Sequence, residues 1–489
     1  MAAVTDTAAL RRRAAQALAL YAGFWLLALA LVAALLLVPY LDFAYRGSPS
    51  VGGLLALAAA ARIAWGLVPR WETFTPPGAV LPPEHAAALL ATAAELARSS
   101  ALPMPHDVYL VPQANAFVGE RRLKMGIVRR EFMGIGLGLL AVLDVEGLRT
   151  VIAHELGHRR SGDVSLGPWV YRTRRALSVA TERLGEGSIL HLPFLWYTRW
   201  FLRLSAVVSR QQELAADAHA AHVVSAAHAA RALEVVGRDG ALWNVYWTQE
   251  VLPVIEAGFY PPVLDGFSRF VASAHARGVL PDATVRVAGD EADTHPPDHE
   301  RIAALGSPAS PAPGPPALSL VRNPEALVEV VVRGLFANPA LVRIIDEPLR
   351  GGDPQVPVLV RVRWDEVGQR VWLPRWRADL GPWAERLGRS CLEELPELLA
   401  SPSRRAVLFV ARGPRVLSPM AEARRHRDLL AFALGVHLAA AGWQVSTSPG
   451  EPLLFVRGGE SIDVRAVVNG TEWTDWRERL AGWLAPQGD

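Results

Sequence analysis

The 489-residue chain contains one cysteine, Cys391, and one lysine, Lys124. A lone cysteine excludes an intrachain disulfide, which fits a reducing compartment without proving one. The formal net charge is only +2, so the composition gives no support to a nucleic-acid partner. Arginine supplies the other basic residues, and alanine, glycine and proline are abundant. We interpret this as the composition of a GC-rich genome rather than as arginine-rich recognition.

Charge is also missing from a long N-terminal segment. Ala17 to Pro39 is 23 residues without a charged side chain, which is long enough to cross a bilayer as a helix. A cleaved signal peptide, with Arg11 to Arg13 as its basic start, is the competing interpretation. The apolar stretch is longer than a usual signal core, and no clear small-x-small cleavage site follows it. We therefore expect an anchor.

A second apolar stretch, Val51 to Val68, forms a weaker candidate span because it contains Arg62, whose side chain can reach the headgroups. Arginines 11 to 13 precede the first span and Arg70 follows the second. The positive-inside rule then places both ends in the cytoplasm. We expect residues 1–75 to form a transmembrane hairpin (helices at about 17–39 and 51–68), in a multi-pass protein of the cell inner membrane. The lipid bilayer is thus an expected partner, and the region after residue 71 should face the cytoplasm.

The pentapeptide His154-Glu155-Leu156-Gly157-His158 has the spacing of a metal site. Residues four apart lie on one face of a helix, so both imidazoles can reach a single Zn²⁺. Glu155 could then take a proton from water. Asp144 is a candidate N-cap for this helix, and apolar residues recur at helical spacing along it. An ordinary amphipathic helix with two surface histidines is the alternative.

Catalytic zinc sites usually have three protein ligands, so a third is required. The candidate lies in the predicted helix from Ser209 to Asp217 (SRQQELAAD). Glu213 could ligate zinc, and Asp217, four residues later on the same face, could accept a hydrogen bond from a zinc-bound histidine. Taken alone, this pair would be interpreted as a solvated acidic face, because charged residues on helices usually lie at the surface.

Further motifs accompany these two along the chain. They are Asn115-Ala116-Phe117, Gly138-Leu139-Leu140, and Thr294-His295-Pro296-Pro297 with Arg301. In this order, and over roughly residues 80 to 305, the motifs resemble the HtpX-like and CAAX-prenyl-protease family of zinc metallopeptidases.

The resemblance implies a role for each matching residue. The ligands of one Zn²⁺ per chain would be His154, His158 and Glu213, with Glu155 as the general base. Asp217 would orient a ligand, and Arg301 would hold its own segment in place. His295 would stabilise the oxyanion, and Asn115 would lie on an edge strand that pairs with the substrate backbone. The remaining histidines near these motifs match no ligand position and are expected to be surface or structural: His219, His222, His228 and His299.

The chain departs from the family between the zinc motifs, where HtpX-type relatives carry two more transmembrane helices. Here Ile189 to Val208 is interrupted by Pro193, Arg199 and Arg203. We predict an amphipathic helix that leads directly into Ser209, packed on the core or lying against the membrane. The number of spans stays open, and the departure argues against a fully intramembrane chamber.

The expected fold class is α+β. A mainly helical metallopeptidase domain with a small, edge-exposed sheet should occupy residues 76–305, with a helix at 84–99 and strands near 107–111, 115–119 and 125–133. A proline-rich linker at 306–316 leads to a C-terminal α/β domain, 317–489, which carries eight of the sixteen tryptophans. Strands are expected there near 358–364, 406–411, 443–447, 453–457 and 461–467, and helices near 420–441 and 472–484. We expect the stripe of Trp473, Trp476, Leu480 and Trp483 to be core, although a binding surface is the alternative.

The sequence therefore predicts a membrane-anchored zinc endopeptidase acting on protein or peptide substrates. The family suggests membrane-associated proteins, misfolded proteins or a peptide precursor as substrates. The competing hypothesis is a membrane-anchored scaffold or sensor with a structural or vestigial zinc site. The role of residues 317–489 and the oligomeric state are not readable from the sequence.

Overall fold

A computed structural model describes residues 7–67, 74–123, 128–160, 192–276, 296–306, 308–337, 359–409, 419–470 and 473–485. The chain divides into two compact units, Met1–Ala241 with Ala283–Leu327 and Leu242–Asp282 with Val328–Asp489. The division falls inside a helix after Leu327, beyond the proline-rich segment where the sequence places a linker.

The helices, in chain order, are α1 (Thr7–Arg46), α2 (Val51–Leu67), α3 (Pro83–Ser99), α4 (Leu137–Val142), α5 (Val145–Arg160), α6 (Leu192–Val223), α7 (Ala226–Val235), α8 (Ala241–Tyr246), α9 (Leu252–Glu256), α10 (Val263–Ala276), α11 (Asp298–Ala304), α12 (Pro324–Ala337), α13 (Trp364–Val367), α14 (Leu373–Leu380), α15 (Arg389–Glu393), α16 (Leu395–Ala400), α17 (Pro402–Leu408), α18 (Pro419–Ala440), α19 (Val464–Asn469) and α20 (Trp476–Leu484). Turns of π-helix lie at Val236–Gly240, Trp247–Val251 and Gly368–Trp372, and 3₁₀ turns at Ala317–Leu320 and Gly381–Trp383.

The strands are β1 (Ala79–Val80), β2 (Asp107–Val111), β3 (Ala116–Leu123), β4 (Val128–Gly136), β5 (Phe259–Tyr260), β6 (Val360–Arg361), β7 (Gln444–Ser446), β8 (Leu454–Arg457) and β9 (Glu460–Asp463).

The N-terminal helices α1 and α2 pack against each other. Ser50 accepts a hydrogen bond from the backbone N–H of Gly53 (3.0 Å) and so caps the start of α2. Within α1, Ala22–Arg46 is long and apolar enough to cross a membrane. The apolar part of α2, Val51–Trp65, is shorter, and no other described helix meets that standard. The helical pair is present, but a pair of transmembrane spans is not confirmed.

A four-stranded sheet in the order β1-β2-β4-β3 lies in the first unit. β2 and β4 are parallel, whereas β3 and β4 are antiparallel, with Phe117 opposite Gly134 and Gly119 opposite Phe132. A Cβ on Gly134 would clash with the ring of Phe117, and one on Gly119 with the ring of Phe132. Each aromatic ring therefore covers the glycine opposite it, which fixes the register. Among the described strands β3 is an edge, as predicted.

Helix α5 packs against strand β3 of the sheet and against helix α3. Its apolar side is fully buried at Leu148, Ile152 and Leu156. On the other side, Arg149 donates two hydrogen bonds to Glu95 of α3 (2.7 and 3.1 Å). The predicted helix at 84–99 and the strands near 107–111 and 115–119 are confirmed, and the strand predicted at 125–133 runs over Val128–Gly136.

The second unit is mainly helical around a core that includes Trp376, Trp443, Phe455, Trp476 and Trp483. Trp476, Leu480 and Trp483 of α20 are therefore core, as expected, and Trp473, which precedes the helix, is partly buried against this core. Strands β7, β8 and β9 form an antiparallel sheet, and β5 pairs with β6. The predicted strands near 443–447 and 453–457 and the helix at 420–441 are confirmed, and the helix predicted at 472–484 begins at Trp476.

Three strand predictions in this unit are wrong in whole or in part. Where a strand is predicted near 406–411, the chain forms helix α17 over Pro402–Leu408. Ser401 accepts the N–H of Arg404 as the N-cap of this helix, and a proline follows it. The strand predicted at 461–467 ends at Asp463, which caps helix α19 through the N–H groups of Arg465 and Ala466. The strand predicted at 358–364 is reduced to β6, after which α13 begins.

Candidate active site

Helix α5 begins where the sequence places its cap. Asp144 Oδ1 accepts the N–H of Gly147 (2.8 Å), and Asp144 Oδ2 accepts the N–H of Gly314 from the proline-rich segment (2.9 Å). Burial raises the pKa of Asp144, but these hydrogen bonds and the charge of Arg231 outweigh it, so the net shift is downward. The carboxylate therefore stays ionised and holds the helix start.

Helix α6 runs unbroken through the second motif, as predicted, and crosses α5 closely. A Cβ on Gly157 would lie 3.1 Å from Cα of Ala216 and 3.1 Å from Cβ of His219. A side chain at 157 would therefore push the two helices apart. Glu213 and Asp217, both buried on α6, face α5 because of this approach.

The three predicted metal ligands lie together. His154 Nε2 is 3.1 Å from His158 Nε2 and 3.5 Å from Glu213 Oε2. His158 Nε2 is 3.7 Å from Glu213 Oε1. Tetrahedral donors about 2.1 Å from a zinc ion lie about 3.4 Å apart. The measured separations, in which each histidine is nearest a different oxygen of Glu213, lie on both sides of that edge length, so this donor set is close to the geometry that zinc requires.

Behind the donors lies a buried network of charged groups. Asp217 Oδ1 is 2.9 Å from His154 Nδ1, which leaves Nε2 directed at the other donors. Arg301 of α11 donates two hydrogen bonds to the same carboxylate, from Nε (2.8 Å) and Nη2 (2.7 Å). Arg301 Nη2 is also 3.4 Å from Glu213 Oε2. Arg301 thus contacts both acidic residues of α6.

The network shifts the pKa values of its members. Burial alone would lower the pKa of His154, but hydrogen bonds to Asp217 and Glu213, with the charge of Glu155, raise it to about 9. Burial raises the pKa of Asp217, yet Arg301 and His154 outweigh burial and lower it. Without a metal, His154 is therefore protonated at neutral pH and Asp217 is ionised.

Glu155 and Asn115, the predicted base and substrate-binding residue, are both described in the structure. Glu155 is half-buried next to His154. Asn115 is exposed and comes directly before the edge strand β3, which lies against α5. A Cβ on Gly136 would clash with the carbonyl oxygens of Gln113 and Asn115. Glycine at 136 therefore lets the Asn115 turn pass close to the start of α4.

The structure does not place every predicted residue in the site. His295 lies outside the described residues, so its predicted position stays a prediction. His219 accepts or donates a hydrogen bond with the buried Ser100 (2.9 Å), and His228 pairs with its cap residue Ser225 (2.8 Å). His222 and His299 are exposed.

Sequence reasoning missed two features of the site. The sequence predicted that Arg301 holds its own segment in place. In the structure its side chain pairs with Asp217, which is 84 residues away in the chain, and sequence spacing cannot indicate such a contact. Sequence reasoning also assigned no role to Gly157. A glycine inside a helix costs about 1 kcal/mol relative to alanine, and that cost was the available signal for a close helix approach.

Two histidines one helical turn apart, a glutamate from a neighbouring helix and a carboxylate beside the first histidine define the zinc metallopeptidase class of site. Residues 83–309 match Peptidase family M48, and this region belongs to that family.

Over 160 residues the chain is 29% identical to a Protease HtpX homolog of Persephonella marina. The alignment covers 29% of this chain and 54% of that protein, so the chain spans about half the length of this curated relative. No solved structure matches the chain significantly.

Proposed function

We propose that the chain is a membrane-anchored, zinc-dependent endopeptidase. The observation that carries the proposal is the cluster of His154, His158 and Glu213, whose nearest donor atoms are 3.1–3.7 Å apart, close to the spacing of donors around tetrahedral zinc. A zinc ion held there would act as a Lewis acid toward the scissile carbonyl and would lower the pKa of water. A purely structural zinc site would not need Glu155.

Within this proposal, the residues of the chain supply positioning and proton transfer. Glu155 takes a proton from the attacking water and passes it to the leaving amine, so that water is added across the C–N bond. Asp217 fixes the tautomer and ring orientation of His154, and Arg301 fixes the carboxylate of Asp217. His295 would stabilise the oxyanion.

The substrate would lie extended along strand β3, with its backbone pairing near Asn115. An edge strand offers unpaired N–H and C=O groups, so it binds a peptide through its main chain with little selection of side chains. Substrates of this kind are proteins with an extended or unfolded segment: membrane-associated or misfolded proteins, or a peptide precursor.

The membrane part of the proposal rests on Ala22–Arg46, which is apolar and largely exposed to the surroundings. Helix α2 would complete a hairpin in the cell inner membrane. Arg11 to Arg13 before the hairpin and Arg70 after it would keep both ends, and the catalytic region, in the cytoplasm. A reporter fused after residue 489 should register in the cytoplasm, and an external signal would overturn this orientation.

The test of catalysis is cleavage of unfolded and membrane-derived model proteins by the purified full chain. Glu155→Gln should abolish cleavage and retain one zinc per chain. Glu146→Gln makes the same substitution in the first turn of α5, away from the donors, and should leave cleavage intact. Equal cleavage by wild type and Glu155→Gln would refute the proposal. Zinc binding at one per chain with no cleavage by wild type would favour the scaffold hypothesis.

A further inference from the structure

The first turns of helix α6 carry an exposed apolar face. Leu192, Trp196 and Trp200 follow one another at intervals of four and are 52%, 69% and 44% exposed. Residues at this spacing form one stripe on a helix. Large aromatic side chains this exposed in one stripe mark a surface that meets something apolar.

The stripe lies next to the candidate membrane span. Tyr197, one residue from Trp196, is buried, and its ring centroid is 6.3 Å from that of Phe24 in α1. A Cβ on Gly23 would lie 2.9 Å from the hydroxyl oxygen of Tyr197, so the two helices touch at a glycine. Gly23 and Phe24 lie within two helical turns of the N-terminal end of the predicted span, Ala17 to Pro39, so the contact is near the cytoplasmic side that the charge pattern predicts.

The lipid bilayer is the occupant that these contacts favour. Leu26 and Leu29 on α1, which are 66% and 63% exposed, extend the apolar surface from the α6 contact along the span. Tryptophan and tyrosine concentrate at the level of the headgroups, where one end of the ring is apolar and the other wet. Arg199, exposed among these residues, can direct its guanidinium to the headgroup phosphates.

We propose that Leu192–Trp200 lies in the membrane interface as an additional bilayer contact and that helix α6 thereby limits how far the metal ligands stand from the membrane. This inference rests on the proposed membrane anchor and peptidase function. Helix α6 is continuous from Leu192 to Val223, so the segment that meets lipid and the segment that carries Glu213 form one rigid rod.

The length of that rod sets the reach of the site. Glu213 is 17 residues after Trp196 in α6, which corresponds to a rise of about 25 Å at 1.5 Å per residue. This is the greatest height of Glu213 above the interface, since any tilt of the helix reduces it. An extended polypeptide covers about 25 Å in about eight residues. The favoured substrate class is therefore a membrane protein with an extended segment close to the bilayer.

The bilayer contact is tested by placing spin labels along α6 in the full chain in lipid nanodiscs. Cys391→Ser removes the only native thiol. Single cysteines then replace Leu192, Trp196 and Trp200, with Gln211, Ala215 and Ala218 as controls, which are exposed positions on the same helix. Labels at the first three sites should collide more with oxygen than with a water-soluble nickel chelate, and the controls should show the reverse.

Two outcomes would overturn the contact. A label at 196 as open to the nickel chelate as one at 218 would show that the stripe faces water. A label shielded from both reagents would show that protein, such as a second copy of the chain, covers it. Leu192→Cys is the milder change and provides the result if the tryptophan variants fold poorly. The measurement does not involve proteolysis, so it stands even if the peptidase proposal fails.

The reach is tested with single-span substrates that carry the same cleavable sequence on tethers shorter and longer than about eight residues. Cleavage should begin at or below that tether length in nanodiscs. A requirement for much longer tethers would refute the limit of about 25 Å on the height of Glu213 above the membrane interface. Trp196→Ala should reduce cleavage of the bilayer-embedded substrates and spare a soluble peptide, whereas Trp196→Tyr should retain both activities.

Discussion

Asp217→Asn is the most informative single perturbation of the site. The carboxylate is 2.9 Å from His154 Nδ1 and accepts two hydrogen bonds from Arg301 at 2.7 and 2.8 Å. Asparagine keeps the shape and can still accept from His154. It removes one negative charge, and its amide group cannot accept the second hydrogen bond of Arg301.

Two separate effects follow from this substitution. Loss of a charged partner behind a ligand typically weakens metal binding about 10–100-fold, which is about 1.4–2.8 kcal/mol. Breaking a buried ion pair by removing one partner costs about 3–5 kcal/mol of folding free energy, because Arg301 is left charged and only 9% exposed. The loss in folding free energy of the metal-free variant should therefore exceed the loss in its free energy of zinc binding.

The assays are competition for zinc against a chelator and urea unfolding of the metal-free protein. Asp298→Asn is the matched control, since Asp298 also faces Arg301 (4.0 Å) but is 42% exposed. Because Asp298 itself is open to solvent, its pair with Arg301 is screened and contributes at most about 1 kcal/mol, so the control should change stability little and zinc affinity not at all. Wild-type zinc affinity in Asp217→Asn, or an equal loss in Asp298→Asn, would refute the reasoning.

Three other predictions concern protons and packing. Because a proton with a pKa of about 9 must leave His154 before a metal binds, zinc affinity should rise about tenfold per pH unit below pH 9, and a flat chelator-competition profile would contradict this. In the metal-free protein the pKa of His154 rises from 6.5 to about 9 on folding, so its protonation stabilises the folded state fully below pH 6.5, and this stability is lost as the pH rises through 9. The free energy of unfolding in urea should therefore fall by about 3 kcal/mol between these pH values. A free energy of unfolding that stays constant would count against the charge network. Gly157→Ala should destabilise the protein by about 1–3 kcal/mol and weaken zinc binding, because its Cβ would meet helix α6. Gly482→Ala is the control: nothing lies within 4 Å of its Cβ, so it should stabilise the protein by up to about 1 kcal/mol. Thermal unfolding of both variants tests this, and equal effects of the two substitutions would contradict the packing argument.

The candidate metal site was the most predictable part of the molecule because metal chemistry imposes sequence spacing. A period of four on a helix brings His154 to His158, and the same period brings Glu213 to Asp217. The cap at Asp144 was also readable, since capping depends on local hydrogen bonds. What spacing could not supply was the third helix, because the contact of Arg301 with Asp217 depends on tertiary packing.

The C-terminal strands were less predictable because a short apolar run fits both a strand and a buried helix. The run after Ser401 is rich in valine and phenylalanine, which favours a strand. Ser401 followed by Pro402 is typical of a helix N-terminus, and the segment after it is helical. The same occurred at Asp463, whose side chain caps two N–H groups and ends the strand.

The proline-rich segment sets where the metallopeptidase region can be cut from the rest of the chain. The match to Peptidase family M48 ends at residue 309. The backbone continues to cover the start of α5 beyond that point, because Val145 N–H donates to Pro315 (2.8 Å) and Ala317 N–H donates to Leu143 (2.9 Å). Ala317 and Val321 are buried. A fragment that stopped at the family boundary would expose the start of the helix that carries His154 and His158, so the folded unit extends beyond the region that matches the family.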